Sequence, residues 1–190
     1  DDNDSTRFPS ATEVVGDEID QNCDGIERCY KDDDGDGARQ IGERDSSDAT
    51  CTTDGDTAPA SALIDCDDGD PAINPSAIEI VADEVDQDCD GAEICYVDND
   101  NDDYRTPATV VSDDDDCKDS GEATGTALID CNDAAASINP GATEIVGDGI
   151  DQDCNGGEVC YVDADGDGDR TTLTVVSANV SCADSGEGVA

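Results

Sequence analysis

Residues 151–168 read DQDCNGGEVCYVDADGDG, and the rest of the chain is interpreted from this stretch. Its first ladder, Asp151, Asp153 and Asn155 followed by Gly156, places oxygen-bearing side chains at positions 1, 3 and 5 and a turn-permitting glycine at 6, as at the start of a calcium loop. A second ladder, Asp163, Asp165 and Asp167 with Gly166 and Gly168, begins eight residues after Asn155. Carboxylates crowded in this way repel one another, and a bound cation makes the crowding favourable. Equivalent ladders stand at Asp20, Asn22, Asp24 and Asp32, Asp34, Asp36, and again at Asp86, Asp88, Asp90 and Asp98, Asp100, Asp102.

Composition points the same way. The chain of 190 residues has a formal net charge of −44, 11 Cys and no His, Met or Trp. Leu, Ile, Val and Phe total 30 residues, below the level of roughly 20% at which high net charge accompanies disorder. So small an apolar content cannot offset the ordering entropy of the chain, and covalent cross-links and bound ions must do so. A disulfide closing a loop of 15 to 25 residues contributes about 3 kcal/mol, and an ion bound only by the folded state adds its binding free energy. Both supports belong outside the cytosol, which predicts an extracellular or cell-surface protein. No signal peptide, transmembrane run or basic patch is visible in the sequence. The expectation is a mature or trimmed product with no membrane insertion and no electrostatic binding to nucleic acid.

An internal repeat sets the architecture. Cys23, Cys89 and Cys154 recur at intervals of 66 and 65 residues, followed in register by Cys29, Cys95, Cys160 and by Cys51, Cys117, Cys182; Cys66 and Cys131 form a fourth class. The repeats are expected at 1–75 (with the end of a preceding unit at 1–8), 76–140 and 141–190, the last incomplete. Pro75 or Pro140 at a first helical position, near Glu79 or Glu144, predicts a short helical turn stopped by Gly147 and Gly149 in the third repeat. Strands are expected over 93–98, 108–112, 158–163 and 173–177, paired as a small ribbon. Residues 62–64 and 127–129 form a third apolar patch.

A third acidic cluster in each unit comprises Asp65, Asp67, Asp68 and Asp70, with Asp130 and Asp133 equivalent in the next unit and Asp1, Asp2 and Asp4 at the start of the chain. Neither ladder reaches the Glu at position 12 of an EF-hand, since Val97 and Thr174 stand there. Glu27, Glu93 and Glu158, at position 8 of the first ladders, are candidates for the missing ligands. Oxygen donors with no imidazole or thioether suit calcium or magnesium, and many flexible carboxylates favour the larger ion, so several calcium ions per chain are predicted. The cysteine spacing contains no Cys-x2-Cys and favours disulfides over metal ligation. The preferred pairs are Cys29–Cys51, Cys95–Cys117, Cys160–Cys182, Cys66–Cys89 and Cys131–Cys154, although spacing alone also permits a tight Cys89–Cys95 loop. Tyr30, Tyr96 and Tyr161 each follow a strand cysteine and are expected to cover the disulfide. With no His, no Gly-x-Ser-x-Gly and no phosphate loop, an enzyme is not expected.

Residues 65–71 (DCDDGDP), 138–144 (INPGATE), 86–91 (DQDCDG) and 160–168 (CYVDADGDG) together resemble the bacterial MopE-type metal-binding repeat family, over nearly the whole chain. The ladders are also similar to the calcium loops of thrombospondin type 3 repeats. The resemblance implies a secreted or surface-attached bacterial protein built of tandem units.

The fold expected is therefore a set of small disulfide-rich, calcium-stabilised tandem repeats, mostly irregular loops with short strands and a helical turn per repeat, stacked into an elongated rod. The expected role is structural: an extracellular rod or filament whose partners are copies of the chain itself, head to tail. A monomeric surface module for metal capture or adhesion is the alternative. By the repeat register Cys23 should pair with a cysteine preceding Asp1, and Ala190 aligns with Gly125, six residues short of Cys131. Both ends thus predict that a neighbouring copy or a longer array completes Cys23 and the Asp163 ladder, with Asp1, Asp2 and Asp4 at the junction.

Overall fold

The computed structural model describes residues 4–52, 55–57 and 63–190. They form two compact units, one of Asp1–Ile80 with Val85–Ala92 and one of Val81–Glu84 with Glu93–Ala190. The first unit holds one three-stranded antiparallel sheet and the second holds two.

Each sheet is built on a central strand with the pattern Glu-x-Cys-Tyr-x-Asp: β1 (Arg28–Lys31), β4 (Ile94–Asp98) and β7 (Glu158–Asp163). Aromatic and β-branched residues favour the pleated backbone here. On one side lie β2 (Glu43–Asp45), β5 (Thr109–Val111) and β8 (Thr174–Ser177), with Cys95 opposite Val110 and Cys160 opposite Val175. On the other lie β3 (Asp56–Thr57), β6 (Gly121–Ala123) and β9 (Gly186–Gly188). The ribbon predicted from sequence is thus a three-stranded sheet. Its third strand, Gly-Glu-Ala or Gly-Glu-Gly, has no β-forming pattern and pairs because the central strand offers a free edge.

The predicted helical turn is replaced by a β-turn, and no helix occurs among the described residues. Asn74 Oδ1 accepts the Ser76 N–H at 2.9 Å while the Asn74 carbonyl accepts Ala77 N–H at 2.8 Å, and Asn139 does the same for Gly141 and Ala142. An Asn side chain that binds backbone two residues on offers an alternative to the helix. The next donors, Ile80 N–H and Ile145 N–H, go to the side-chain oxygens of the buried Gln87 and Gln152 at 2.9 and 3.0 Å, so the chain leaves the turn extended.

The buried apolar residues, among those described, are the half-cystines Cys29, Cys51, Cys95, Cys117, Cys160 and Cys182 and the alanines Ala38, Ala82 and Ala123. Larger aliphatic side chains such as Ile41, Ile78 and Val176 lie outside. Five disulfides are formed. Cys29–Cys51, Cys95–Cys117 and Cys160–Cys182 lie beneath the sheets, whereas Cys66–Cys89 and Cys131–Cys154 clip surface loops, with Cys66 and Cys131 exposed. The Cys89–Cys95 loop is not formed, and Cys23 is a free, exposed thiol. Tyr96 packs against Ala82, Cys95 and Cys117, and the Arg105 guanidinium stacks on its ring at 3.8 Å; Arg39 on Tyr30 and Arg170 on Tyr161 repeat the stack.

Candidate metal centres

The first ladders fold locally. Asp86 accepts Asp90 N–H and Gly91 N–H at 3.1 and 2.9 Å, Asp88 accepts Asp90 N–H, and Asp90 accepts Ala92 N–H. Asp20 and Asp151 hold Asp24, Gly25, Asn155 and Gly156 in the same way. Gly91 has φ +85°, a left-handed conformation that glycine adopts without cost, and Gly25 and Gly156 match it. The glutamate of the Asn-Pro-x-Ala-x-Glu segment then folds over the ladder. Glu79 Oε1 accepts Asp88 N–H at 2.9 Å, its Oε2 is buried with no donor, and oxygens of Glu79, Asp86 and Asp88 lie within 4.8 Å of one another. Glu144 binds Asp153 N–H and Glu13 binds Asn22 N–H in the same register.

Sequence reasoning missed Glu13, Glu79 and Glu144 as site residues. Their constant seven-residue lead over Asp20, Asp86 and Asp151 was the available signal. Glu27, Glu93 and Glu158, expected as ligands, are 0, 0 and 1% exposed and accept backbone N–H groups. Glu93 accepts Ile94 N–H and Ala82 N–H, Glu158 accepts Gly147 N–H and Gly149 N–H, and Glu27 accepts Arg28 N–H. Only in Glu27 does an oxygen, Oε2, stay buried without a donor, in a pocket shared with Glu13, Asn22 and Asp24. Burial raises the carboxyl pKa of Glu27 and Glu158, opposed by these backbone bonds.

The second ladders are half-sites, completed by the third cluster. Asp32, the residue following β1, fixes its loop by accepting Gly35 N–H and Gly37 N–H. Asp34 and Asp36 each use Oδ1 on a backbone N–H of their own loop. Asp65 Oδ1 accepts Asp67 N–H at 2.8 Å, and Asp68 Oδ1 reaches across to Asp33 N–H at 2.8 Å. The other oxygens, Oδ2 of Asp34, Asp36, Asp65 and Asp68, are all buried with no hydrogen-bond partner. Oxygens of Asp32, Asp34 and Asp36 lie within 4.8 Å of one another, as do those of Asp34, Asp65 and Asp68. Asp65 and Asp68 are 4 and 7% exposed. Clusters counted separately in the sequence therefore meet at Asp34, which belongs to both triads.

The second repeat repeats the plan with fewer free charges. Asp98 holds Asn101, Asp102 and Asp103 N–H; both oxygens of Asp100 and Oδ2 of the buried Asp130 lack donors. Asn139 donates to Asp102 Oδ2 at 2.9 Å, and Asn99 engages both oxygens of Asp133. In the third repeat Asp163 holds Gly166 and Gly168 N–H at 2.9 and 3.0 Å, and Asp163 and Asp165 line a pocket with Asp184 and Glu187; Asp167 binds Asp169 N–H. Asp67 and Asp70, expected as ligands, are exposed and cap turns at Gly69 and Ala72. Asp4 accepts the Thr6 N–H and hydroxyl, while Asp1 and Asp2 lie outside the described residues.

Burial is the first cause that raises the pKa of Asp34, Asp65, Asp68 and Asp100, and their carboxylate neighbours add to it. Buried acceptors without donors are costly, and a positive charge between them removes the cost. An all-oxygen, mostly carboxylate donor set fits a hard cation.

Residues 1–27, 65–94 and 130–158 match the family model Cu-binding MopE, described as a "putative metal-binding motif". No curated protein and no solved structure matches the chain.

Proposed function

We propose that this chain, a tandem array carrying the MopE-type metal-binding motif three times, is a secreted calcium-binding protein of structural rather than catalytic role. The observation that carries the reading is that two carboxylate triads, Asp32–Asp34–Asp36 and Asp34–Asp65–Asp68, share Asp34, with Oδ2 of Asp34, Asp36, Asp65 and Asp68 buried and donorless. Five carboxylates with no imidazole or thioether partner favour calcium over the copper in the family's name, and they supply the ligand number that calcium prefers over magnesium. Five disulfides support an oxidising compartment, and no helix among the described residues is long and apolar enough to cross a membrane.

The matched segments beginning at residues 65 and 130 bring Asp65, Asp68 and Asp130 to ladders that precede them in the chain. An ion at either composite centre therefore joins one motif copy to the sheet before it. Extended beyond one chain, the same join links copies head to tail into a filament, with the Asp163 loop and the free Cys23 as the contacts a neighbour completes. Calcium titration of the oxidised chain by calorimetry tests the first part; absence of binding would refute it. Electron microscopy in calcium tests the second. Fibres that dissolve on chelation are expected, whereas dispersed monomers with a freely alkylated Cys23 would leave the surface-module alternative.

A further inference from the structure

Each of the two surface disulfides has a buried carboxylate beside it. A carboxylate oxygen of Asp65 lies within 4.8 Å of both Cys66 Sγ and Cys89 Sγ, and the triad of Asp130, Cys131 and Cys154 repeats the arrangement. Asp65 and Asp130 are 4 and 6% exposed, and Oδ2 of each has no donor. We propose that Cys66–Cys89 and Cys131–Cys154 are redox-gated metal sites, which on reduction bind a thiophilic d10 cation such as zinc, cadmium or copper(I) through two thiolates and the adjacent aspartate. The inference goes beyond the calcium reading and shares with it only Asp65 and Asp130.

The gating follows from access. Cys66 and Cys131 are exposed, whereas the six sheet half-cystines are at most 3% exposed. An external dithiol attacks the Cys66 sulfur, forming a mixed disulfide and releasing the Cys89 thiolate. The reagent's second thiol then closes its own disulfide and releases Cys66, so two electrons pass to the protein and one disulfide is exchanged for another. Binding of a divalent ion by both sulfurs displaces the remaining thiol protons to solvent. The Cα atoms are 5.7 Å apart in each pair, which lets the sulfurs part to the roughly 3.8 Å that two tetrahedral Zn–S bonds of about 2.3 Å require. Two sulfurs and a carboxylate leave a fourth position for water. Soft thiolates select this ion class against calcium, so reduction would exchange the preference of Asp65 from a hard to a thiophilic neighbour.

The test uses the full oxidised chain and cadmium as probe. After limited treatment with dithiothreitol, alkylation mapping should label Cys66, Cys89, Cys131 and Cys154, besides Cys23, and leave the sheet cysteines unlabelled. Cadmium should then produce sulfur-to-metal charge-transfer absorption that saturates at one ion per triad, protect those four cysteines from alkylation, and bind equally well in Cys23→Ser. Asp65→Asn with Asp130→Asn should weaken cadmium binding about tenfold or more. Reduction of the sheet disulfides first, or absence of charge transfer and protection in the reduced wild-type chain, would overturn the proposal, and these readouts need no folded cysteine variant. Calcium binding by the oxidised chain, measured in parallel, fails or succeeds independently and reports on the proposed function alone.

Discussion

Asp68→Asn should change stability in opposite directions with and without calcium. The substitution keeps the Oδ1 atom that accepts Asp33 N–H and replaces the donorless Oδ2 by a neutral amide. Without an ion, Asp68 lies within 4.8 Å of Asp34 and Asp65. At that separation and an effective dielectric of 20 each ionised pair repels by about 3.5 kcal/mol, or about 7 kcal/mol for both. With calcium at roughly 2.4 Å, the same arithmetic gives an attraction of about 14 kcal/mol. Hydration reduces both figures greatly, but the two-to-one ratio decides the sign. The variant should gain on the order of 1–2 kcal/mol in chelator and lose about as much in saturating calcium. In urea that moves the midpoint by about 1 M, upward in one medium and downward in the other. Midpoints that move in the same direction in both media would refute the composite ion centre.

The pH dependence should also invert. Burial raises the carboxyl pKa of Asp34, Asp65, Asp68 and Asp100, while the unfolded chain deprotonates near the ordinary value of about 3.9. As pH rises through that window the unfolded state binds fewer protons, so the chelated protein loses stability; in calcium it gains, because protons no longer displace the ion. Melting temperatures with parallel slopes in the two media would contradict this. Glu158→Ala should cost about 2 kcal/mol by orphaning Gly149 N–H, whereas Glu158→Gln, which keeps an acceptor, should cost under half as much in urea unfolding. Arg105→Ala removes the stack on Tyr96 and the bond from Nε to the Ala127 carbonyl, and should cost about 1–2 kcal/mol by thermal unfolding. An unchanged melting temperature would make that stack incidental.

Local chemistry and the five cysteine pairs were legible in the sequence, and carboxylate contacts between distant segments were not. The ladders could be read because Asp86 and Asp163 find their backbone partners within five residues. The central strands β4 and β7 could be read because their cysteine, tyrosine and valine recur in one pattern. The composite centre could not: Asp65 and Asp68 meet Asp34 from about thirty residues away, and no local rule reports such a meeting. Glu79 was read as part of a helix start, a role for which its acidity is equally suited, until Asn74 and Gln87 took the backbone donors that a helix would need. Glu93 is a candidate ligand by its position 8 in the ladder, and its backbone partners, Ile94 N–H and Ala82 N–H, are not legible from that position. The third strands escaped because Gly121–Ala123 pairs through backbone, with little help from side chains.

A core made of half-cystine and alanine changes when folding can begin. Ordinary chains collapse as soon as they are synthesised, because their apolar side chains are ready-made. Here the residues that fill the interior acquire their packed form only when sulfur is oxidised. Before that the polypeptide is a strongly charged thread with little to drive collapse or clumping. It can be held extended and handed from place to place without a chaperone to hide its surfaces, and an oxidant, rather than the act of synthesis, sets the moment at which it takes shape.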